Sequence, residues 1–181
     1  MRILVLLVLV AACGSSSSSS GADAAPAATP VIPAPTGTCP TITNGDVMFA
    51  PAGIPPRMVN IAMNPAKTGG PLILYWYATG SNPNEAGYAL GATEQQILGA
   101  GGLVATPYAD PTAGQFEWFI VNMSPKLDDF ILADEIVACL AAAHRIDTTH
   151  IHSMGMSAGA LQTSALHALP SSVHVCRVRG A

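Results

Sequence analysis

Arg145-Ile146-Asp147-Thr148-Thr149-His150-Ile151-His152-Ser153-Met154 leads into Gly155-Met156-Ser157-Ala158-Gly159, and Ala160–Ala168 follows. The reading is a turn at Asp147-Thr148-Thr149, a strand over His150–Met154, a tight junction, then a helix over Ala160–Ala168. A bare G-x-S-x-G is weak in a chain with 17 Gly. Its setting raises it, because a nucleophile elbow needs a strand before the serine and a helix after it. The turn is so tight that the positions two before and two after the serine must be small, and these are Gly155 and Gly159. Ser157 is therefore the candidate nucleophile, at the strand end where open α/β sheets place their sites. The Ala158 N–H, at the helix start, points where an oxyanion forms. The bland alternative is a serine in an ordinary glycine-rich turn.

Upstream, Met58–Met63 alternates as a strand and Asn64–Gly70 reads as a turn. Leu72-Ile73-Leu74-Tyr75-Trp76-Tyr77 is a continuous apolar run, the pattern of a buried strand, and it breaks at the loop Ala78–Pro83. Thr93-Glu94-Gln95-Gln96 fits a capping box for a short helix ending at Gly99–Gly102. Leu103–Thr106 is a further short strand, stopped by Pro107. Ser124-Pro125 reads as an N-cap and first helical proline, with Asp128 and Asp129 in the positive first turn and Arg145 near the negative end. Strands alternating with helices give an α/β fold with a mainly parallel sheet flanked by helices.

Arg2 followed by the apolar Ile3–Val10 is laid out as a signal peptide over residues 1–12. Val10-Ala11-Ala12-Cys13 resembles the bacterial lipoprotein signal, which makes Cys13 the lipidation site, and Gly14 after it implies outer-membrane retention by the same resemblance; the alternative is an ordinary signal peptide cleaved near Ala12, with Cys13 incidental and the chain secreted. Residues 13–37, rich in Ser, Ala and Pro, cannot form a core and read as a tether. Residues 38–181 are left for one domain. Half the chain is apolar and 10% is charged, which excludes disorder. Net charge is −4 with scattered Lys and Arg, so no stripe exists for a nucleic-acid backbone. No apolar run reaches the length of a membrane span, and the membrane is reached through the lipid anchor alone. Export places Cys39, Cys139 and Cys176 where disulfides form. Three thiols allow one bridge, for which Cys39 with Cys139 is the choice.

From about Met58 to Leu169 the chain resembles the polyhydroxybutyrate depolymerase and feruloyl esterase-like serine esterases of the α/β-hydrolase superfamily. The resemblance rests on Pro71–Trp76, Phe116-Glu117-Trp118-Phe119, the Asp128-Asp129 helix start, and Arg145-Ile146-Asp147 leading into Met154–Gly159. It implies an α/β-hydrolase sheet and cleavage of carboxylic esters, small or polymeric, through an acyl-serine. A histidine would serve as base and an aspartate would orient it, with no cofactor and no metal. It also implies a second oxyanion donor just beyond the strand ending at Trp76. There the family carries His-Gly where this chain has Tyr77-Ala78, and Thr79 is the matching donor. The family's triad runs Ser, then Asp or Glu, then His, yet no Asp or Glu follows Ser157. His167 and His174 occupy no late-loop position. The expectation is a truncated α/β-hydrolase-like domain, weak or inactive as written, with a frameshift, a premature stop or a naturally short strand behind it. The alternative is a non-catalytic surface lipoprotein that binds a ligand or polymer.

His150 and His152 share one strand face with His144 nearby, but no acidic residue is positioned with them, so they are read as strand residues and not as ligands. Gly99-Ala100-Gly101-Gly102 precedes a strand and is no dinucleotide fingerprint. Tyr75, Trp76, Phe116, Trp118 and Phe119 are read as core before pocket. Asp110 is a replacement acid only on paper, and Asp147 is read as a turn cap.

Overall fold

The structure, a computed structural model, describes residues 32–168. The signal peptide, Cys13, most of the tether, His174 and Cys176 lie outside them. The elements run β1 (Gly45–Phe49), β2 (Arg57–Met63), β3 (Gly70–Trp76), α1 (Glu85–Leu90), α2 (Ala92–Gly99), β4 (Leu103–Pro107), α3 (Asp128–Ala142), β5 (Ile146–Gly155) and α4 (Ala158–Ala168). The strands form one sheet in the order β1-β2-β4-β3-β5. This is an α/β fold whose sheet is mixed, with a parallel core of β4, β3 and β5 and an antiparallel edge. β1 with β2 and β2 with β4 pair antiparallel, while β3 pairs parallel with both β4 and β5. The parallel neighbours are joined by helical crossovers, as parallel pairing requires, and β1 meets β2 through a short loop.

The apolar run predicted as a buried strand is one: Leu72, Leu74, Tyr75 and Trp76 are almost wholly enclosed in β3. β2 alternates, with Val59, Ile61 and Met63 inward. α1 and α2 lie on the sheet face carrying Asn60, Ala62, Val104 and Thr106. α4 covers the face carrying Trp76 and Ser153, where the Ser153 hydroxyl meets that of Thr163 at 3.4 Å. α3 lies on this second face and buries Leu132, Ile136, Val137 and Leu140.

Four local readings change. α3 starts at Asp128 with Leu127 as N-cap, not at Ser124. The Ser124 Oγ instead accepts the Lys126 N–H, and the helix start is fixed by Asp129, which pairs with buried Arg57 and accepts the Phe119 N–H. At its other end Arg145 lies beyond the helix. His144 adopts a left-handed φ of 51°, and the bonds Arg145 N–H to Leu140 O and His144 N–H to Ala141 O close a Schellman motif. Thr93 caps nothing, since Gly91 precedes α2 and offers no side-chain cap. The turn expected at Asp147–Thr149 is absorbed into β5 as an irregularity, the register passing from Gly70 opposite Ile146 to Leu72 opposite Ile151.

Cys39 and Cys139 are joined by a disulfide across a separation of 100 residues. Closing so long a loop restricts the unfolded chain by about 4.7 kcal/mol in the chain-entropy account. Beside it the buried Glu135 carboxylate accepts the Thr36 N–H and hydroxyl, both at 2.7 Å, and the Gly37 N–H at 3.0 Å. Thr36 and Gly37, read as tether, are thus held against α3.

Candidate active site

Ser157 sits exposed between the end of β5 and the start of α4 with a φ of +54°. A non-glycine residue pays roughly 1–2 kcal/mol for that left-handed conformation, and such outliers persist only where their surroundings hold them. Here the surroundings are the end of β3. The Met156 N–H donates to the Trp76 carbonyl at 3.2 Å. A Cβ at Gly155 would stand 2.5 Å from that same oxygen, and one at Gly159 would stand 1.8 Å from it. Both flanking glycines are therefore required by close backbone approach, as the sequence motif implied.

Ala158 opens α4, so the helical ladder offers its N–H no acceptor and the positive helix end lies there. The following N–H groups are engaged: Gly159 donates to Met156 O, and Ala160 to Ser157 O. Thr79 lies in the exposed turn after β3. Trp76 stands opposite Gly155 in the parallel β3–β5 register, so the Thr79 turn and the Ser157 elbow leave the sheet side by side at the same end.

Two carboxylates unread in the sequence hold that turn. Glu85, on α1, accepts the Ala78 N–H at 3.0 and 3.3 Å and the Tyr75 hydroxyl at 3.0 Å. Burial and the Glu85 hydrogen bond push the Tyr75 phenol well above its usual range. Glu117 accepts the Gly80 N–H at 2.8 Å from a backbone with a φ of +61°, and its Oε2 is buried without a partner among the described residues. No local signal marks either role, because the groups meet only across the fold.

Next to Glu117, Trp118 stands edge-on to Trp76 and Tyr77, with ring centroids 5.0 Å apart in each case, and donates to Tyr77 O at 3.0 Å. The Trp76 indole in turn donates to Ser153 Oγ at 3.0 Å, tying β3 to the strand that carries the elbow. Tyr75, Trp76, Trp118 and Phe119 are core, and of the aromatic set Phe116 alone is exposed. Asp110 is engaged by Arg57 at 3.2 Å. Burial raises its pKa, but the Thr112 hydroxyl and N–H together with Arg57 outweigh that and hold it below the ordinary value. For Asp129, burial dominates over Arg57 and the Phe119 N–H, and its pKa is raised.

No described histidine side chain reaches Ser157. His150 lies midway along β5, five residues before its end at Gly155, or roughly 16 Å at ~3.3 Å per strand residue. It is not without an acidic partner, as the sequence implied. The β5 irregularity folds Asp147 back so that its Oδ2 lies 2.6 Å from His150 Nδ1. Asp147 also caps the turn through the Thr149 hydroxyl and N–H, and these bonds, with His150, draw its pKa down to about 2. His152 is half-buried in mid-strand, its pKa lowered by burial and by His150. The His167 side chain and His174 lie outside what is described.

A cleft of about 390 Å³ opens elsewhere, between α1, α2 and the outer face of β2 and β4, lined by Asn60, Asn84, Tyr88, Glu94 and Thr106. None of Ser157, Ala158 or Thr79 lines it. No protein-family model matches the chain, and no curated protein matches it.

Proposed function

We propose that the chain is an exported serine ester hydrolase of the α/β-hydrolase type. It would be anchored through Cys13 and act on carboxylic esters of the polyhydroxyalkanoate or feruloyl kind. The single observation that carries the reading is the left-handed Ser157, pinned by Gly155 and Gly159 against the Trp76 carbonyl. The strand order β1-β2-β4-β3-β5 supports it, because the serine follows β5 at the end of the parallel strands, where open α/β sheets place their sites. In this reading Ser157 Oγ attacks the acyl carbon, the alcohol leaves with the serine proton, and water then releases the acid and restores the serine. Ala158 and Thr79 donate N–H groups to the oxyanion. Loss or misplacement of one donor costs about 10²- to 10³-fold in rate. With no base at the serine among the described residues, acylation is slow and needs an activated ester.

A second reading has its own observation. Neither an acid nor a histidine stands at Ser157 among the described residues, which favours a non-catalytic surface lipoprotein that binds a ligand or polymer. A fluorophosphonate probe separates the two. Covalent labelling that Ser157→Ala abolishes supports the esterase; an unreactive Ser157 leaves the binding protein.

A further inference from the structure

We propose that the cleft between α1, α2 and the outer face of β2 and β4 is a binding site for a neutral saccharide, one or two pyranose rings long. Its volume of about 390 Å³ lies in the range of small-molecule sites. Two cross-strand pairs in register make its floor: Asn60 opposite Thr106 and, next on the same face, Ala62 opposite Val104. One half of the floor is therefore polar and the other apolar. A sugar ring divides the same way, into hydroxyl edges and C–H faces.

The polar groups around the cleft are largely unspent within the fold. Thr106 is buried in β4, yet no described residue bonds its hydroxyl, which is left to the cleft. Asn60 gives its Nδ2 to Asp46 at 2.7 Å and keeps its Oδ1. The Asn84 side chain makes no capping bond to α1, so its amide can both donate and accept. Glu94 brings a carboxylate, and no described Lys, Arg or His lines the cleft, so an anionic ligand meets like charge there with nothing to offset it. Tyr88 stands at the edge, 86% exposed, and its ring offers a flat apolar face with a polar tip, which a sugar's C–H face would cover. Gly87 leaves the room. It lies inside α1, where glycine weakens a helix relative to alanine. A Cβ there would meet the Glu94 carboxylate oxygens at 3.4 and 3.9 Å and otherwise open space.

The test is isothermal titration of the full chain with cellobiose, whose equatorial hydroxyls leave both ring faces apolar. Choline and glucose 6-phosphate serve as the cationic and anionic controls. Cellobiose should bind one per chain with a Kd of about 1 mM, and neither control should bind. Tyr88→Ala and Asn84→Ala should each weaken binding about tenfold. Both side chains are exposed and Asn84 caps nothing, so the melting temperature should not move. Gly87→Leu fills the cleft while favouring the helix, and should abolish binding without lowering the melting temperature. Choline bound more tightly than cellobiose would overturn the ligand class. Cellobiose binding that survives Gly87→Leu, or no saturable binding well above that concentration, would overturn the site. None of these outcomes depends on whether Ser157 reacts.

Discussion

Gly159 packs so closely on Trp76 that its missing Cβ would stand 1.8 Å from the Trp76 carbonyl oxygen. Backbone cannot yield there as a flexible side chain would. Gly159→Ala is expected to destabilise the fold by about 3 kcal/mol, at the upper end for overpacking, and to abolish probe labelling. Urea denaturation checks this, and a loss below ~0.5 kcal/mol would mean that elbow and strand are not in contact.

Ser157 gives a second, opposite test. Alanine keeps the left-handed strain, whereas glycine relieves ~1–2 kcal/mol of it and gives back roughly 0.5–1 kcal/mol in backbone entropy. Ser157→Gly should therefore unfold at higher denaturant than Ser157→Ala, though both are unlabelled. A Ser157→Gly midpoint below that of Ser157→Ala would show that the serine is not strained.

Glu117 positions the Thr79 turn through the Gly80 N–H. Glu117→Ala should slow fluorophosphonate labelling about tenfold, equivalent to about 1.4 kcal/mol. Glu117→Gln, whose amide oxygen still accepts that hydrogen bond, should recover most of the rate. Identical rates in the Ala and Gln variants would remove Glu117 from the machinery.

The Glu135 clasp is acid-sensitive with a defined sign. Burial pushes its pKa up, but the Thr36 hydroxyl, Thr36 N–H and Gly37 N–H pull it below the ordinary 4.5. The unfolded chain then binds more protons between the two values, so the contribution is present above about pH 4.5 and is lost as pH falls through the folded value. Denaturation midpoints of wild type and Glu135→Gln should converge as the pH is lowered below 4.5. A gap that stays constant from pH 6 to pH 3 would refute the assignment.

The elbow was readable because everything it demands is local: a strand, a tight turn, two glycines and a helix within a few residues. β3 was readable because a strand buried on both faces is an unbroken apolar run. β1 escaped because its edge position leaves Asp46 and Met48 exposed and its pattern weak. α1 escaped because it is six residues long with Gly87 inside it. Glu85 and Glu117 hold N–H groups 7 and 37 residues away, and no motif spans such distances. Ser124-Pro125 misled for the same reason: the Arg57–Asp129 pair, formed across 72 residues, decides where α3 begins.

The Cys39–Cys139 bridge also fixes how the domain bears load. A pull on the chain ahead of Cys39 passes through the two sulfurs directly into α3. Everything between them, β1 to β4 included, lies outside the line of force. Stretched from both ends, the oxidised protein should lengthen by about a hundred residues less than the reduced one. Four of the five strands are therefore shielded from tension on the tether.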